Sequence, residues 1–341
     1  MKKILLITTG GTIACRQTSE GLAPDISDNS LISLRGLPPG FQVTVKPLFR
    51  LDSSNIQPEE WQRIAHTVAE EYRHYDGIVL THGTDTMAYT ASALSFMLHN
   101  IKVPLVLTGS QLPLTHLLTD GIENLRCAFA MAASGNPGVF VAFHRKVILG
   151  TRAVKVRTFA MDAFESINYP YIACIDAKGL VINKSALPKA SGDFMLNDKI
   201  CNRVFLLKLT PGLDPDIFDA LLKMNYRGIV IEAFGVGGLN FIRRDLVAKL
   251  RMMIKAGVTI VVCSQCLYEP SDFSIYQTGR KVLETGVLEA KDMTTEAAVT
   301  KLMWVLGQTG DADEIRRLYT ENCAGEYSTG RFSPDEMDER Q

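Results

Sequence analysis

Four short apolar runs set the limits on how this chain folds. Residues 3–8, 77–81, 103–107 and 138–143 ("GVFVAF") are nearly continuous in apolar side chains and bounded by Gly or Pro. A strand with one wet face alternates polar and apolar residues. A run without alternation reads as a strand buried on both faces, the situation inside a parallel sheet. Between the first two runs lies "QPEEWQRIAHTVAEEYRHY". There Pro58, Glu59 and Glu60 open a helix, and Trp61, Ala65, Val68 and Tyr72 recur every three to four residues along one stripe. Strands alternating with helices imply an α/β sheet with right-handed crossovers.

At 341 residues the chain exceeds the ~250 to 300 at which a single core usually splits, so two domains are expected. The polar, punctuated stretch "LPKASGDFMLNDKICN" reads as a linker over 185–202, separating a domain of residues 1–184 from one of 203–341. After it comes a second, smaller alternation: "RVFLLKL", the helical "DPDIFDALLKM", "GIVIEAF", the helical "RRDLVAKLRMMIKAG", "VTIVVCS" and two terminal helices. Lys plus Arg number 36 against 37 for Asp plus Glu, a formal charge of -1. Nothing marks a nucleic-acid or membrane surface, and a small neutral or zwitterionic ligand fits better. The seven cysteines are odd in number and scattered, the pattern of reduced thiols in a cytoplasm. The N-terminal apolar run breaks at Thr8-Thr9-Gly10-Gly11, short of the ~7 to 15 residues of a signal-peptide core, and no segment sustains the ~18 of a membrane span. Cys263 and Cys266 have a metal-like spacing but no second pair, so neither a metal nor a cofactor is expected.

Two Thr- and Gly-rich stretches, "TTGGTIA" at Thr8 to Ala14 and "THGTDTMAYTASA" after "GIVL", sit at the carboxyl ends of predicted strands, where open α/β sheets bind ligands. Neither has the spacing of a dinucleotide fingerprint or a P-loop. Thr84 and Asp85 fall at or near the start of a helix carrying Met87, Ala91, Leu94 and Leu98. Capping alone would explain them, as would a ligand site shared with Thr12. A threonine hydroxyl becomes a nucleophile only when a neighbour takes its proton, and acyl transfer needs donors for the developing oxyanion. Backbone N–H groups of the Gly-rich turn can supply the donors. The base is either His82 or a lysine made easier to deprotonate by burial, and Lys155 in "LGTRAVKVRTF" is a candidate.

"TTGGTIA", "LDSSNIQPEEW", "THGTDTMAYTASALSFML", "LTGSQLP" with "TDGIENL", "FESINYP", "FGVGGLN" and "DMTTEAAVTKLMWVLG" resemble, in order and spacing, the bacterial and archaeal two-threonine L-asparaginases. The likeness runs from about residue 3 to about residue 328, and it points to the cytoplasmic type I branch. The resemblance implies a larger N-terminal parallel-sheet domain with helices on both faces and a smaller C-terminal α/β domain, assembled as homodimers that can pair into homotetramers. It implies hydrolysis of L-asparagine to L-aspartate and ammonia, with a minor glutaminase activity. Thr12 matches the nucleophile that forms the acyl-enzyme. Thr84, Asp85 and Lys155 match the second threonine and its partners. Asp52, Ser53 and Ser54 match the loop holding the substrate's α-amino and α-carboxylate groups, and Ser110 the position whose carbonyl faces the substrate amide.

The sequence also departs from the pattern. Leu22 stands where many relatives carry a tyrosine in a mobile segment, so Thr12 is activated by other groups or by another tyrosine such as Tyr268. The polar stretch 16–30 reads as a lid closing over substrate. Glu232 stands where some type I relatives carry an arginine of an allosteric asparagine site, which argues against such a site. A related glutamine-using archaeal subunit carries an extra N-terminal domain, for which a motif starting at residue 9 leaves no room. A non-catalytic amino-acid sensor is the reading from another class.

Overall fold

The computed structural model describes residues 1–18, 21–24, 40–189 and 192–328. The chain separates into a unit of residues 1–198 and a second beginning at Lys199. In the first, β1 (Lys2–Gly10), β2 (Phe41–Leu51), β3 (Gly77–Thr81), β4 (Pro104–Thr108), β5 (Gly138–Phe143), β6 (Lys146–Leu149), β7 (Ala173–Asp176) and β8 (Gly179–Ile182) form one sheet. Their order is β8-β7-β6-β5-β4-β3-β1-β2. The run from β2 through β1, β3 and β4 to β5 is parallel. β6, β7 and β8 add an antiparallel extension.

The apolar runs are the parallel strands because both sides of the sheet are covered. On one side Ile4, Leu6, Val79 and Val106 pack with Leu125, Ala128 and Phe129 of helix α3 (Gly121–Ala132). On the other, Leu5, Ile7, Ile78, Leu80, Leu105 and Leu107 are equally buried, on the side of α1 (Pro58–Glu71) and α2 (Met87–Met97). Each such side chain contributes roughly 1.5–3 kcal/mol by leaving water. β2, at the edge, alternates in burial and carries Lys46, Pro47 and Arg50, residues that suit an unpaired edge. Strand order reverses at β1: the chain crosses to β2 on one side, then returns to β3 on the other. The carboxyl ends of β1 and β3 therefore flank the switch point.

The antiparallel extension has no signature in the sequence. β5 turns into β6 through His144 and Arg145, both left-handed, with φ 46° and 61°. This is the two-residue hairpin geometry normally signalled by Asn-Gly or Asp-Gly, and His-Arg gives no such signal. Of the stretch that reads as a linker, residues 192–198 are fastened to the first unit, whereas Lys199 and Cys201 bond within the second, to Gln308 and Met303. Met195–Leu196 pairs with Leu98–His99, the Phe194 and Tyr72 rings lie 4.6 Å apart, and Asp198 meets His66 Nε2 at 2.8 Å.

The second unit has a four-stranded parallel sheet of β9 (Val204–Lys208), β10 (Gly228–Ala233), β11 (Thr259–Ser264) and β12 (Leu288–Glu289). Helices α4 (Asp216–Lys223), α5 (Leu246–Lys255), α6 (Gln277–Leu283), α7 (Thr295–Gln308) and α8 (Ala312–Thr320) accompany it. Phe218, Leu250 and Met253 join Ile229, Ile231 and Val262 in its core. Asp245 caps α5 by accepting from Ala248 N–H at 3.1 Å. Among the described residues no helix is long and apolar enough to cross a membrane.

Candidate active site

The glycines of "TTGGTIA" serve close backbone approach. β1 ends at Gly10, and Gly11 (φ 80°, ψ 174°) precedes a single 3-10 turn, Thr12–Ala14. A Cβ on Gly11 would lie 2.4 Å from the backbone nitrogen of Gly83, and one on Gly83 would lie 2.6 Å from Ser53 Oγ. The loops after β1, β2 and β3 are thus pressed together at positions where any side chain collides. Further bonds tie them. Asp52 caps the turn Ser53–Asn55, accepting from Ser54 N–H at 2.8 Å and Ser54 Oγ at 2.6 Å. Thr86 Oγ1 donates to the Ser53 carbonyl at 2.7 Å. Thr12, Asp52, Ser53, Ser54, Thr84 and Asp85 consequently share the rim of the switch point.

Thr84 and Asp85 do not cap a helix. α2 begins at Met87, its cap position is Thr86, and no side chain closes that cap. Instead both residues meet Lys155, carried on the short hairpin Ala153–Lys155 with Phe164–Ser166. Lys155 Nζ lies 2.8 Å from Thr84 Oγ1 and 2.6 Å from Asp85 Oδ1. The lysine side chain is 17% exposed and that of Asp85 65%, so the pair has one dry end and one wet end. Solvent screening keeps its net worth as a salt bridge small. Its value is in holding Nζ against a threonine hydroxyl.

Of the two bases the sequence leaves open, His82 is not at that hydroxyl. The imidazole is fully buried. Nδ1 donates to the Gly83 carbonyl at 2.7 Å, since a carbonyl only accepts. That tautomer leaves Nε2 to accept from Thr90 Oγ1 at 2.9 Å, and Thr90 in turn accepts from Trp61 Nε1 at 3.0 Å. Burial pushes the His82 pKa down to about 4, so the ring stays neutral. It braces the turn leading into Thr84.

Ser110 is buried in the loop after β4, its hydroxyl bonding the Leu112 carbonyl at 2.5 Å. Side chains from the start of α3 hold this loop. Asp120 accepts from Gln111 N–H at 3.0 Å and Leu112 N–H at 3.1 Å, and Asn124 Nδ2 donates to the Gly109 carbonyl at 3.0 Å. Gln111, Asp120 and Asn124 lie inside the quoted motifs, yet sequence reasoning assigns them no role. Their spacing is that of ordinary helix-start residues, and their partners are set only by the fold. Electrostatically, Asp52 is held below its ordinary carboxylate range by the Ser54 hydroxyl and N–H and stays ionised.

Part of the expected lid is regular. Cys15–Thr18 and Gly21–Pro24 pair as an antiparallel hairpin, with Leu22 opposite Gln17; residues 19–20 and 25–30 lie outside the described residues. Tyr268 belongs to the second unit and is half exposed. Glu232, also in that unit, has partners of its own. It accepts from Thr295 Oγ1 at 2.7 Å and lies 3.4 Å from Lys208 Nζ. Cys263 is buried on the Ile231 carbonyl, whereas Cys266 is exposed. Among the described residues no three His, Cys, Asp or Glu side chains are grouped to hold a metal.

Known proteins resemble this chain in sequence and architecture. Residues 3–188 match the family model "Asparaginase, N-terminal" and residues 203–319 the "Glutaminase/Asparaginase C-terminal domain". The L-asparaginase of Thermococcus kodakarensis is 42% identical over 329 residues, covering 96% of this chain and 99% of that protein. A solved structure of the thermostable L-asparaginase from Thermococcus kodakarensis superposes with a TM-score of 0.91 at 41% identity, covering 96% of this chain and 100% of that one. A glutamyl-tRNA(Gln) amidotransferase subunit of Pyrococcus abyssi is 38% identical over 343 residues, covering 96% of this chain and 77% of its own length.

Proposed function

The chain belongs to the asparaginase family of amidohydrolases, and from that premise we propose that it hydrolyses L-asparagine to L-aspartate and ammonia through an acyl-enzyme on Thr12. The observation carrying the reading is Lys155 Nζ, 2.8 Å from Thr84 Oγ1 and 2.6 Å from Asp85 Oδ1, on the rim where the Thr12 turn also lies. Thr12 Oγ1 attacks the side-chain amide carbon, and N–H groups around the Gly-rich turn stabilise the oxyanion. The proton given up by the Thr12 hydroxyl passes to the amide nitrogen, and the C–N bond breaks to release ammonia. Thr84, with Lys155 as proton acceptor and Asp85 as its counter-charge, activates the water that attacks the ester, releasing aspartate and restoring the Thr12 hydroxyl.

The remaining residues bind. Asp52 stays ionised and, with Asp85, receives the substrate ammonium, while Ser53 and Ser54 hold its carboxylate. The Ser110 carbonyl accepts from the substrate amide. Glutamine is a minor substrate, since one methylene changes the balance by only about 1–3 kcal/mol. The enzyme works in a reducing cytoplasm, a reading supported by its seven free cysteines, and as a homodimer or homotetramer. Ammonia release from asparagine and from glutamine, by the parent, Thr12→Ala and Thr84→Ala, tests the proposal. Turnover of asparagine by the parent and its loss in both variants are expected. Preference for glutamine would favour an activity like that of the amidotransferase relative, and amino-acid binding without ammonia release would favour a sensor.

A further inference from the structure

The amide of Gln111 has its orientation dictated by its neighbours. Nε2 lies 2.9 Å from the Thr158 carbonyl and 3.1 Å from the Ala160 carbonyl. Both partners are acceptors, so the NH2 end must face them. Oε1 is then the end that meets Thr84 Oγ1, at 3.3 Å. The backbone of the same residue is pinned, because both oxygens of Asp120 accept from its N–H at 3.0 Å. An amide that is free to flip positions nothing; this one has a single orientation open to it.

The consequence falls on the Thr84 proton. A protonated Lys155 donates to Thr84 Oγ1, which leaves the threonine hydroxyl to donate elsewhere, and Gln111 Oε1 is the acceptor in reach. When Lys155 acts as a base the hydrogen must swing from Oε1 to Nζ. Building on the mechanism proposed above, we infer that Gln111 is a positioning residue. It holds the Thr84 hydroxyl in place by accepting its proton in the resting state, and it couples that hydroxyl to the segment 158–160 before the Lys155 hairpin closes.

Other charges on the surrounding elements are already engaged. Arg157 pairs with Glu165 at 2.7 Å and Asp162 at 3.6 Å, and Asp120 is committed to backbone N–H groups. Asp52 takes Ser54, Arg152 lies over the Tyr169 ring at 5.3 Å, and α2 carries no charged residue. A charge introduced at position 111 is therefore felt by the Lys155–Asp85 pair against a quiet background.

Two variants test the inference with asparagine as substrate: Gln111→Met, which keeps length but removes the acceptor, and Gln111→Glu, which keeps an acceptor and adds a negative charge. Melting curves run in parallel. Gln111→Met is expected to lose roughly 3- to 10-fold in kcat, the range one neutral hydrogen bond supplies, with KM within about twofold of the parent. Gln111→Glu is expected to move the acid limb of the kcat/KM profile upward by at least about half a pH unit, because a new carboxylate opposes loss of a proton from its cationic neighbour. Parent-like kcat and acid limb in both variants overturn the inference. So does an equal loss in both with a lowered melting temperature and an unmoved acid limb, which would make Gln111 a brace for the 158–160 segment alone. If the parent itself releases no ammonia, the mechanism fails instead, and the two failures are told apart by that one control.

Discussion

Among the polar side chains on the rim of the switch point, Lys155 is the one that touches two cap-like residues at once, and the mechanism proposed above makes it the base for that reason. Its Nζ contacts both Thr84 and Asp85. Lys155→Met keeps the aliphatic stem that packs in the hairpin and removes only the amine, the base of the proposed mechanism. We expect kcat for asparagine to fall by about 10²- to 10⁴-fold, the range for a lost general base, with little change in melting temperature. Ammonia release measured beside a melting curve checks both halves. Thr84→Ser is expected to retain turnover to within about tenfold and Thr84→Val to lose it, because the hydroxyl and not the methyl is engaged.

The turns between elements adopt left-handed backbone that only some residues tolerate. Gly11 has φ 80°, and its missing Cβ would sit 2.4 Å from Gly83 N. Gly11→Ala therefore meets backbone, which cannot yield as a flexible side chain can. We expect it to cost at least about 1–3 kcal/mol in urea unfolding and to lower activity by displacing Thr12. The opposite sign applies at the β5–β6 hairpin. Arg145 is held at φ 61°, and Arg145→Gly removes that strain, giving about 1 kcal/mol of added stability in the same assay. The exposed pair of Arg145 with Glu123 is worth too little to offset the gain.

Taken as a whole, the molecule carries a titrating group in each unit, the two shifted in opposite directions: His82, fully buried, and Glu296, partly buried. His82, in the first, is pushed down to about 4 by burial. The unfolded ring takes a proton near its ordinary 6.5, so this stabilisation is complete above pH 6.5 and is lost as pH falls toward 4. Glu296, in the second, is raised from 4.5 to about 7 by burial and by the neighbouring charge of Glu232. Its contribution is complete below pH 4.5 and is lost as pH rises through 7. Each effect is limited to roughly 3 kcal/mol. Measuring His82→Gln and Glu296→Gln against the parent from about pH 4 to 8 checks the signs. The parent's advantage over the first variant should shrink on acidification, and its advantage over the second should shrink as pH rises.

Length, apolar runs and helical stripes are enough to read the parallel α/β sheet, the second α/β unit and the loops at the carboxyl ends of the strands, because burial on both faces leaves a local imprint on composition. "TTGGTIA" and "HGTDT" likewise mark Thr12, Thr84 and Asp85 as candidates from their place after predicted strands. Three things need the folded chain. The hairpin at His144 and Arg145 is imposed by the sheet against local preference. The choice between His82 and Lys155 rests on a contact between residues 71 positions apart. The direction of the Gln111 amide is decided by two carbonyls in the 158–160 segment. Chemistry is legible where neighbours in sequence carry it; where the partner of a proton comes from a distant strand, only the tertiary structure decides, because distance through space is what a hydrogen bond senses.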